Sequence, residues 1–272
     1  MPPPTGSGEE LAAYRARFVE PIRIRAGVAF WRANAALAQA EELYGVPPEI
    51  VVGIVGVESI YGRQMGDFRV IDALATLAFD FPSGRTRPQR LLSATSSRAW
   101  FVLCKSEGID PLAWRGSYAG AIGMAQFMPS SFNKYAVDFD GDGPRRPARQ
   151  RAADVIGSVA NYLAEFGWKR GLPARFDVQP PTDHERARRA ARARHRADVH
   201  RRRNGPARRA GCPSRRSPPT ACSRSSSCRT ATRRRRYVAG TTNFYALTRY
   251  NWSSYYAMAV LALGEAVRPM AR

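Results

Sequence analysis

The amino-acid sequence predicts a mainly α-helical fold, and three observations support this prediction. Apolar residues recur at helical intervals in residues 9–45 and 153–168, with charged residues between them. The stretch "YGVPPEI" joins a helix stop at Gly45 to a helix start at Pro47 and Pro48. The chain has 272 residues, which is long enough to bury a substantial core.

The first helical region is expected to divide into two helices at Pro21, because proline interrupts a helix. The next helix runs from about Pro48 to Ile60 and is apolar nearly all round, which predicts burial on every side. A Val/Ile run can also form a strand, but the two prolines before this one and its length favour a helix. Gly53 and Gly56 destabilise a helix by about 1 kcal/mol each relative to alanine, so we expect a neighbouring element to approach closely there.

Further helical segments follow, separated by stretches without helical periodicity. The periodicity is lost over residues 83–99, which are rich in Arg, Pro and Ser. The later predicted helical segments are 69–82, 100–114, the end of the Gly-rich stretch 116–132, 153–168 with its stop at Gly167, and 243–267.

Residues 183–236 differ in composition from the rest of the chain. They carry 19 Arg, no Lys and three acids, and therefore +16 of the formal net charge of +21. They contain no Leu, Ile, Phe, Met, Tyr or Trp, so they cannot bury enough apolar surface to offset ordering, and we expect disorder. The predicted organisation is a disordered N-terminus (1–8), the first part of a helical domain (9–182), the Arg-rich segment (183–236) and the C-terminal part of the same domain (237–272).

Histidine and cysteine usage excludes several classes of chemistry. All three histidines lie in the Arg-rich segment, so the rest of the chain cannot form a Ser-His-Asp or Cys-His site or a histidine-ligated metal site. The cysteine spacing fits neither a disulfide framework nor a zinc site. No apolar run is long enough for a transmembrane helix, and the first residues lack the basic start and apolar core of a signal peptide.

Glu58 is the lone acid in the apolar run "VVGIVGVESIYG". Apolar surroundings penalise the charged form of a carboxyl and raise its pKa, which suits a general acid at neutral pH. The residues alone leave a second interpretation equally open, in which Glu58 ends a helix and bonds a backbone group or a tyrosine hydroxyl.

Aromatic and amide side chains are concentrated in the Gly-rich and C-terminal segments. Aromatic faces stack on sugar rings and amides bond sugar hydroxyls, so this composition fits a glycan groove. For each aromatic residue taken singly, a place in the hydrophobic core is the favoured alternative.

The stretch "DFDGDG" matches the start of an EF-hand-type calcium loop, with Asp138, Asp140 and Asp142 at positions 1, 3 and 5 and Gly143 at position 6. The next acid, Asp154, comes at position 17 instead of 12. A polar surface turn is therefore an open alternative to a calcium site.

Six motifs occur in order, and together they resemble the membrane-bound lytic murein transglycosylase B family of bacteria. The resemblance covers about residues 10–82, 100–143, 153–182 and 237–267. The motifs are "YGVPPEIVVGIVGVESIYGRQMG", "RVIDALATLAFDFP", "GSYAGAIGMAQFMPSSF", "DFDGDG", "IGSVANY" and "RYNWSSYYAMAV".

This resemblance implies a lysozyme-like helical fold that cleaves the β-1,4 bond between N-acetylmuramic acid and N-acetylglucosamine in peptidoglycan, with a 1,6-anhydromuramic product. The family's single catalytic acid falls on Glu58, acting as acid and then as base. The implied sugar-groove residues are Ser117, Gln126, Phe127, Tyr162, Tyr250, Asn251, Tyr256 and Tyr14, and the implied calcium ligands are Asp138, Asp140, Asp142 and Asp154.

The resemblance also implies the cofactors, partners and location. No cofactor is required, Ca²⁺ would be structural, and the partner is the peptidoglycan glycan strand, with no specific nucleic acid. The substrate implies export to the periplasm, with attachment to the outer membrane through an N-terminal lipoprotein signal that this sequence lacks. Hydrolysed products would instead indicate a two-carboxylate hydrolase, with Asp67 or Asp72 as the second acid.

Residues 83–99, 144–152 and 183–236 depart from the family pattern. Their Arg, Ala, Pro and Gly codons are GC-rich, so one hypothesis is that these stretches are translated out of frame, and the alternative is a real basic insertion. Two other function classes stay open. One is a nucleic-acid binder acting through the Arg-rich segment, which has no interleaved aromatic residues, and the other is a catalytically impaired cell-wall binder.

Overall fold

The computed structural model describes residues 11–80, 87–143, 151–178, 224–228 and 236–272. The described part of the chain is mostly helical, as the sequence predicts. The helices are α1 (Leu11–Ala16), α2 (Pro21–Ala33), α3 (Ala36–Tyr44), α4 (Pro48–Ser59), α5 (Val70–Phe79), α6 (Arg87–Glu107), α7 (Pro129–Tyr135), α8 (Ala152–Glu165), α9 (Thr242–Asn251) and α10 (Ser254–Ala271).

Helix α4 forms the centre of the core, in contact with α2, α3, α8 and α10. Ten of its 12 residues are buried, which confirms the prediction of a helix surrounded by protein. Each fully buried Val or Ile contributes about 1.5–3 kcal/mol. Its C-terminal end carries Glu58, so a helix buried on nearly every side holds the candidate acid in place.

The crossing of α4 and α10 depends on glycine. A Cβ on Gly53 would collide with the carbonyl oxygen of Val260, and a Cβ on Gly264 would collide with the carbonyl oxygen of Glu49. The two backbones therefore touch directly, which confirms the expected close approach at Gly53.

Several helix boundaries differ from the sequence prediction, among them the division of 243–267 into α9 and α10, and two further differences have a clear physical cause. Residues 11–45 form three helices instead of the two predicted, because a second break follows Ala33, where Asn34 bonds the carbonyl of Phe30 through its side chain at 2.6 Å. Helix α6 begins at Arg87, within the stretch where the periodicity is lost. Its fully buried residues Trp100 and Leu103 anchor it from the C-terminal half, so tertiary packing overrides the weak local pattern.

Two small antiparallel sheets complete the described structure. Strands β1 (Phe68–Arg69) and β2 (Arg115–Gly116) pair and connect the segment after α4 to the Gly-rich stretch. Strands β3 (Arg175–Val178), β4 (Arg224–Cys228) and β5 (Arg236–Gly240) form a sheet in the order β3-β5-β4.

Strand β4 and the first residue of β5 belong to the Arg-rich segment, for which the composition predicts disorder. These residues are instead paired in a sheet. Ladder hydrogen bonds use only backbone groups, so a segment without core side chains can still form them. The rest of the segment, the N-terminal residues 1–8 and most of 144–152 lie outside the described residues. The disorder, reading-frame and nucleic-acid hypotheses for them stay predictions.

None of the helices in the described part of the chain combines the length and the apolar character needed to cross a membrane.

Candidate active site

Glu58 lies in the last turn of α4, where the helix ends in an unusual backbone conformation. Ile60 and Tyr61 adopt left-handed φ angles of 51° and 54°. The hydroxyl of Ser59 donates to the carbonyl of Met124 at 2.8 Å and accepts the amide of Gly62 at 3.1 Å. These bonds attach the turn that carries Glu58 to the Gly-rich segment, while the Glu58 side chain itself keeps partial solvent exposure.

Burial raises the pKa of the Glu58 carboxyl from about 4.5 to about 7. Interaction with the Tyr256 hydroxyl lowers this pKa and offsets part of the effect. The hydroxyl makes no hydrogen bond of ordinary geometry to the described residues, so its interaction with Glu58 is a loose one. The carboxyl is therefore protonated in much of the protein near neutral pH, as a general acid must be.

Four tyrosines surround this carboxyl. Burial raises the pKa of each phenol, and the negative charge of Glu58 raises it further. All four stay neutral at physiological pH. The four residues are Tyr14, Tyr162, Tyr250 and Tyr256, each of which the resemblance placed in the sugar groove.

The aromatic rings form a continuous cluster beside Glu58. The Tyr250 ring stacks on Tyr256 with centroids 6.1 Å apart and contacts Tyr162 at 4.9 Å. Phe127 contacts both Tyr162 and Tyr250, at 5.5 and 5.7 Å. This cluster brings together residues from the Gly-rich segment, α8, α9 and α10, which the sequence separates by up to 129 positions.

Two tyrosine hydroxyls in the cluster donate hydrogen bonds to backbone carbonyls. Tyr250 donates to the carbonyl of Ala125 at 2.6 Å, and Tyr162 donates to the carbonyl of Arg249 at 2.9 Å. A hydroxyl has one proton to donate. These two residues therefore stabilise the side of the site that they form. Their hydroxyl oxygens can accept a hydrogen bond from a sugar but cannot donate one.

Gln126, one of the predicted groove residues of the Gly-rich segment, is held by hydrogen bonds of its side chain. Gln126 adopts a left-handed φ of 49°, and its amide nitrogen donates to the carbonyls of Met65 at 3.2 Å and Gly123 at 2.8 Å. The residues before and after it, Ala125 and Phe127, both contact Tyr250 of the tyrosine cluster. Gln126 therefore lies in a segment that borders this cluster.

Two predicted groove residues show no direct link to Glu58. The Ser117 hydroxyl accepts the amides of Ala119 at 3.3 Å and Ala121 at 3.1 Å, which shapes a turn. Asn251 is partly exposed at the end of α9, directly after Tyr250. Their roles in the groove stay predictions.

The two acids considered as a second carboxylate show no interaction with Glu58. Asp72 pairs with Arg69 at 2.7 Å, and its side chain is 55% exposed. Asp67 is exposed. Neither acts on the pKa of Glu58. In the part of the chain that the structure describes, Glu58 therefore has no carboxylate partner for two-acid chemistry.

A second acidic site lies where Asp138, Asp140 and Asp142 meet Asp154. One ligand atom from each carboxylate lies within 4.8 Å of the others. Asp154 comes from the first turn of α8, and it accepts the amide of Phe139 at 2.8 Å through one oxygen. Its other oxygen is buried without a hydrogen-bond partner among the described residues.

This donor set fits a calcium ion. Calcium prefers carboxylate oxygens, and an unbonded buried oxygen is a suitable ligand atom. Burial and the charges of Asp140 and Asp138 raise the pKa of Asp154, although the Phe139 amide opposes this. A bound cation would relieve that repulsion. Asp142 also forms an ion pair with Arg151. A bound calcium ion would displace Arg151 from this carboxylate or share the carboxylate with it.

Sequence reasoning missed two residues beside Glu58. Ser59 follows the acid directly, and a hydroxyl within an apolar run is a signal that could have found it. Arg23 donates from α2 to the end of α4. It is separated from Glu58 by 35 positions, and nothing local in the sequence indicates the contact.

Comparison with known proteins identifies the family and the fold of this chain. Residues 1–265 match the family model described as the transglycosylase SLT domain. The chain is 38% identical over 294 aligned residues to the membrane-bound lytic murein transglycosylase B of Escherichia coli K12, an alignment that covers 97% of this chain and 69% of that protein.

Two solved structures extend the comparison to the fold. Soluble lytic transglycosylase SltB1 from Pseudomonas aeruginosa superposes with a TM-score of 0.80 at 36% identity, over 98% of this chain and 86% of that one. Lytic transglycosylase Slt35 from Escherichia coli, solved in complex with calcium, gives a TM-score of 0.73 at 36% identity, over 95% and 78%. These similarities confirm the lysozyme-like helical fold, and the chain belongs to the transglycosylase SLT domain family.

Proposed function

We propose that this protein is a lytic transglycosylase that cleaves the β-1,4 bond between N-acetylmuramic acid and N-acetylglucosamine in peptidoglycan. The observation that carries the proposal is the environment of Glu58. A single carboxyl with a raised pKa lies beside four neutral tyrosines, with partial access to solvent. Family membership indicates the substrate class, and this carboxyl supplies the chemistry.

In the first step Glu58 acts as the general acid. Its protonated carboxyl donates a proton to the glycosidic oxygen, while the bond from this oxygen to C1 of the muramyl sugar breaks. The departing N-acetylglucosamine keeps the proton as its 4-hydroxyl. The positive charge that develops at C1 and the ring oxygen faces a newly ionised carboxylate, which stabilises it electrostatically.

In the second step the same carboxylate acts as the base. It accepts the proton of the muramyl C6 hydroxyl while this oxygen attacks C1. The new bond closes the 1,6-anhydro ring and returns Glu58 to its protonated form. No water is consumed, and no second carboxylate is needed, in contrast to glycosidases that use paired acids.

The acidic site at Asp138, Asp140, Asp142 and Asp154 would hold a structural calcium ion. Its ligands come from a loop and from α8, so the ion would fix the loop to that helix. Tyr162 of the aromatic cluster also lies on α8, so the ion would support the groove indirectly. It takes no part in the proton transfers.

Action on peptidoglycan would require this enzyme to reach the periplasm, where the peptidoglycan lies. We further propose that the enzyme is attached to the outer membrane. The Escherichia coli relative, which is named as a membrane-bound enzyme, supports this proposal.

Digestion of purified murein sacculi tests the proposed activity. The wild-type chain should release anhydromuropeptides, and Glu58→Gln, which cannot donate or accept this proton, should release them at least about 100-fold more slowly. Mass spectrometry identifies the products, because a hydrolysed end is heavier than an anhydro end by one water molecule. Reducing ends from the wild type would reveal a hydrolase, and anhydro products formed by Glu58→Gln at the wild-type rate would disprove the role of Glu58.

A further inference from the structure

We propose that Arg23 is a positioning residue that holds the catalytic turn of α4 in its working geometry. The proposal rests on the proposed role of Glu58 and adds a residue from a different helix. Arg23 lies in the first turn of α2 and is 7% exposed.

The guanidinium of Arg23 bonds two consecutive peptide groups of α4. Nη1 donates to the carbonyl of Gly56 at 2.6 Å and approaches the carbonyl of Val57 at 3.4 Å. The Val57 carbonyl belongs to the peptide bond whose nitrogen is that of Glu58. Arg23 therefore holds the peptide unit from which the acid projects.

These two carbonyls belong to the last turn of a helix, where carbonyl groups lack intrahelical partners. The Gly56 carbonyl also accepts a long bond from the amide of Ile60, at 3.3 Å. Gly56 has no side chain to stiffen the turn, and the chain turns left-handed directly afterwards, at Ile60. A guanidinium at this point holds the Gly56 and Val57 carbonyls, in addition to the Ser59 hydrogen bonds that hold the following residues of the turn.

The surroundings of Arg23 offer its guanidinium few other polar partners among the described residues. Its nearest carboxylate is Glu20, at 3.5 Å from Nε and with a 41% exposed side chain. The Nε atom makes no hydrogen bond to the described residues, and the guanidinium lies over the Phe18 ring at 5.3 Å. A buried cation is unfavourable unless it is bonded. The carbonyls at the end of α4 supply that bonding.

The position in α2 supports the same conclusion. A cation near the N-terminus of a helix is electrostatically unfavourable, whereas a cation near the C-terminus is favourable. Arg23 therefore opposes the dipole of its own helix and complements the dipole of α4. The gain lies at the turn of Glu58, not within α2.

The experiment compares Arg23→Ala with Arg32→Ala by steady-state kinetics on soluble glycan strands. Arg32 is a matched control, because it also lies on α2 and donates to a backbone carbonyl, that of Met270, at 2.8 Å. It is exposed and bonds the end of α10. We expect Arg23→Ala to lower kcat by about 10- to 100-fold with KM unchanged, since misplacement of a catalytic group by 1 Å can cost about 100-fold. Arg32→Ala should behave as the wild type.

Chemical rescue separates positioning from a loss of folded protein. Millimolar guanidinium, added to Arg23→Ala, should enter the space left by the side chain and restore part of kcat, and it should not affect Arg32→Ala. A wild-type kcat in folded Arg23→Ala, or a loss that guanidinium does not relieve and that follows the folded fraction, would overturn the proposal. An inactive wild-type chain would instead contradict the proposed function.

Arg23→Lys keeps the proposal testable if Arg23→Ala does not fold. Lysine retains the charge but presents a compact ammonium in place of the guanidinium fork. We expect a folded protein with kcat reduced several-fold at unchanged KM, and a wild-type kcat would refute the positioning role.

Discussion

The carboxylates of this protein occupy two contrasting environments. Glu58 is the lone acid among neutral aromatic side chains, and burial raises its pKa to about 7 against the opposing interaction with Tyr256. Asp154 is the buried member of a group of four acids, and its neighbours Asp138 and Asp140 contribute to its raised pKa. An isolated carboxyl with a raised pKa suits proton transfer, whereas clustered carboxylates suit a cation. The surroundings, not the residue type, separate the two functions.

Amide substitutions in the two sites test this contrast most strongly. Glu58→Gln should reduce the formation of anhydro products by about 10²- to 10⁴-fold, the range for general acid–base catalysis. Asp154→Asn should leave kcat per folded molecule close to that of the wild type, because Asp154 touches no reacting group. Product release from sacculi, normalised to the folded fraction, measures both. Equal losses in the two variants would contradict the separation of roles.

The pH dependence of stability should also distinguish the sites. The folded state raises the pKa of Glu58 from about 4.5 to about 7 and therefore binds more protons than the unfolded state between these values. The free energy of unfolding then falls as the pH rises through this window. Glu58→Gln removes the effect, so its stability relative to the wild type should increase from pH 4 to pH 8 by up to about 3 kcal/mol, an upper limit for a partly exposed group.

Urea denaturation of both proteins at several pH values measures this difference. Glu49→Gln is a suitable control, because this residue lies at the other end of α4 and pairs with Arg268 near the surface, at 3.0 Å. A pH-independent difference between the wild type and Glu58→Gln would show that the pKa of Glu58 is not raised.

Calcium should stabilise the protein through the acidic site alone. Calcium at 100 times its dissociation constant should increase the free energy of unfolding by about 2.7 kcal/mol. Asp138→Asn and Asp154→Asn should remove most of this gain, whereas Glu58→Gln should retain it. Thermal denaturation with calcium or with a chelator measures the effect. The same calcium response in Asp154→Asn and in the wild type would exclude this site.

Tyr256→Phe should produce the smallest change and refine the description of the Glu58 environment. The Tyr256 hydroxyl lowers the pKa of Glu58, so its removal should raise that pKa. Activity requires the protonated acid and should fall above about pH 7 in the wild type. In Tyr256→Phe this fall should occur at higher pH. The pH profile of kcat/KM measures the shift, and a shift to lower pH would contradict the assigned interaction.

Several features of the fold and the site could be predicted from the sequence because their causes are local. A helix that is apolar on every side must be buried, and Gly53 within it requires a close neighbour, which proves to be α10. Glu58 stands out because its neighbours within a few positions are apolar. The three Asp residues of "DFDGDG" are spaced by the loop itself. Periodicity, composition and short spacings all operate within a few residues, so they can be read directly.

Only the tertiary structure decided the contacts between distant segments. Local spacing put Asp154 at the wrong position for an EF-hand-type loop, yet the packing of α8 brings it to the other three acids. The four tyrosines meet Glu58 from α1, α8, α9 and α10. Arg23 reaches the turn of Glu58 from α2. The sequence by itself indicated that the Glu58 carboxyl would be desolvated, because burial follows from apolar neighbours. Packing decided which groups surround and hold it, because helix crossings bring together residues whose separation along the chain carries no such information.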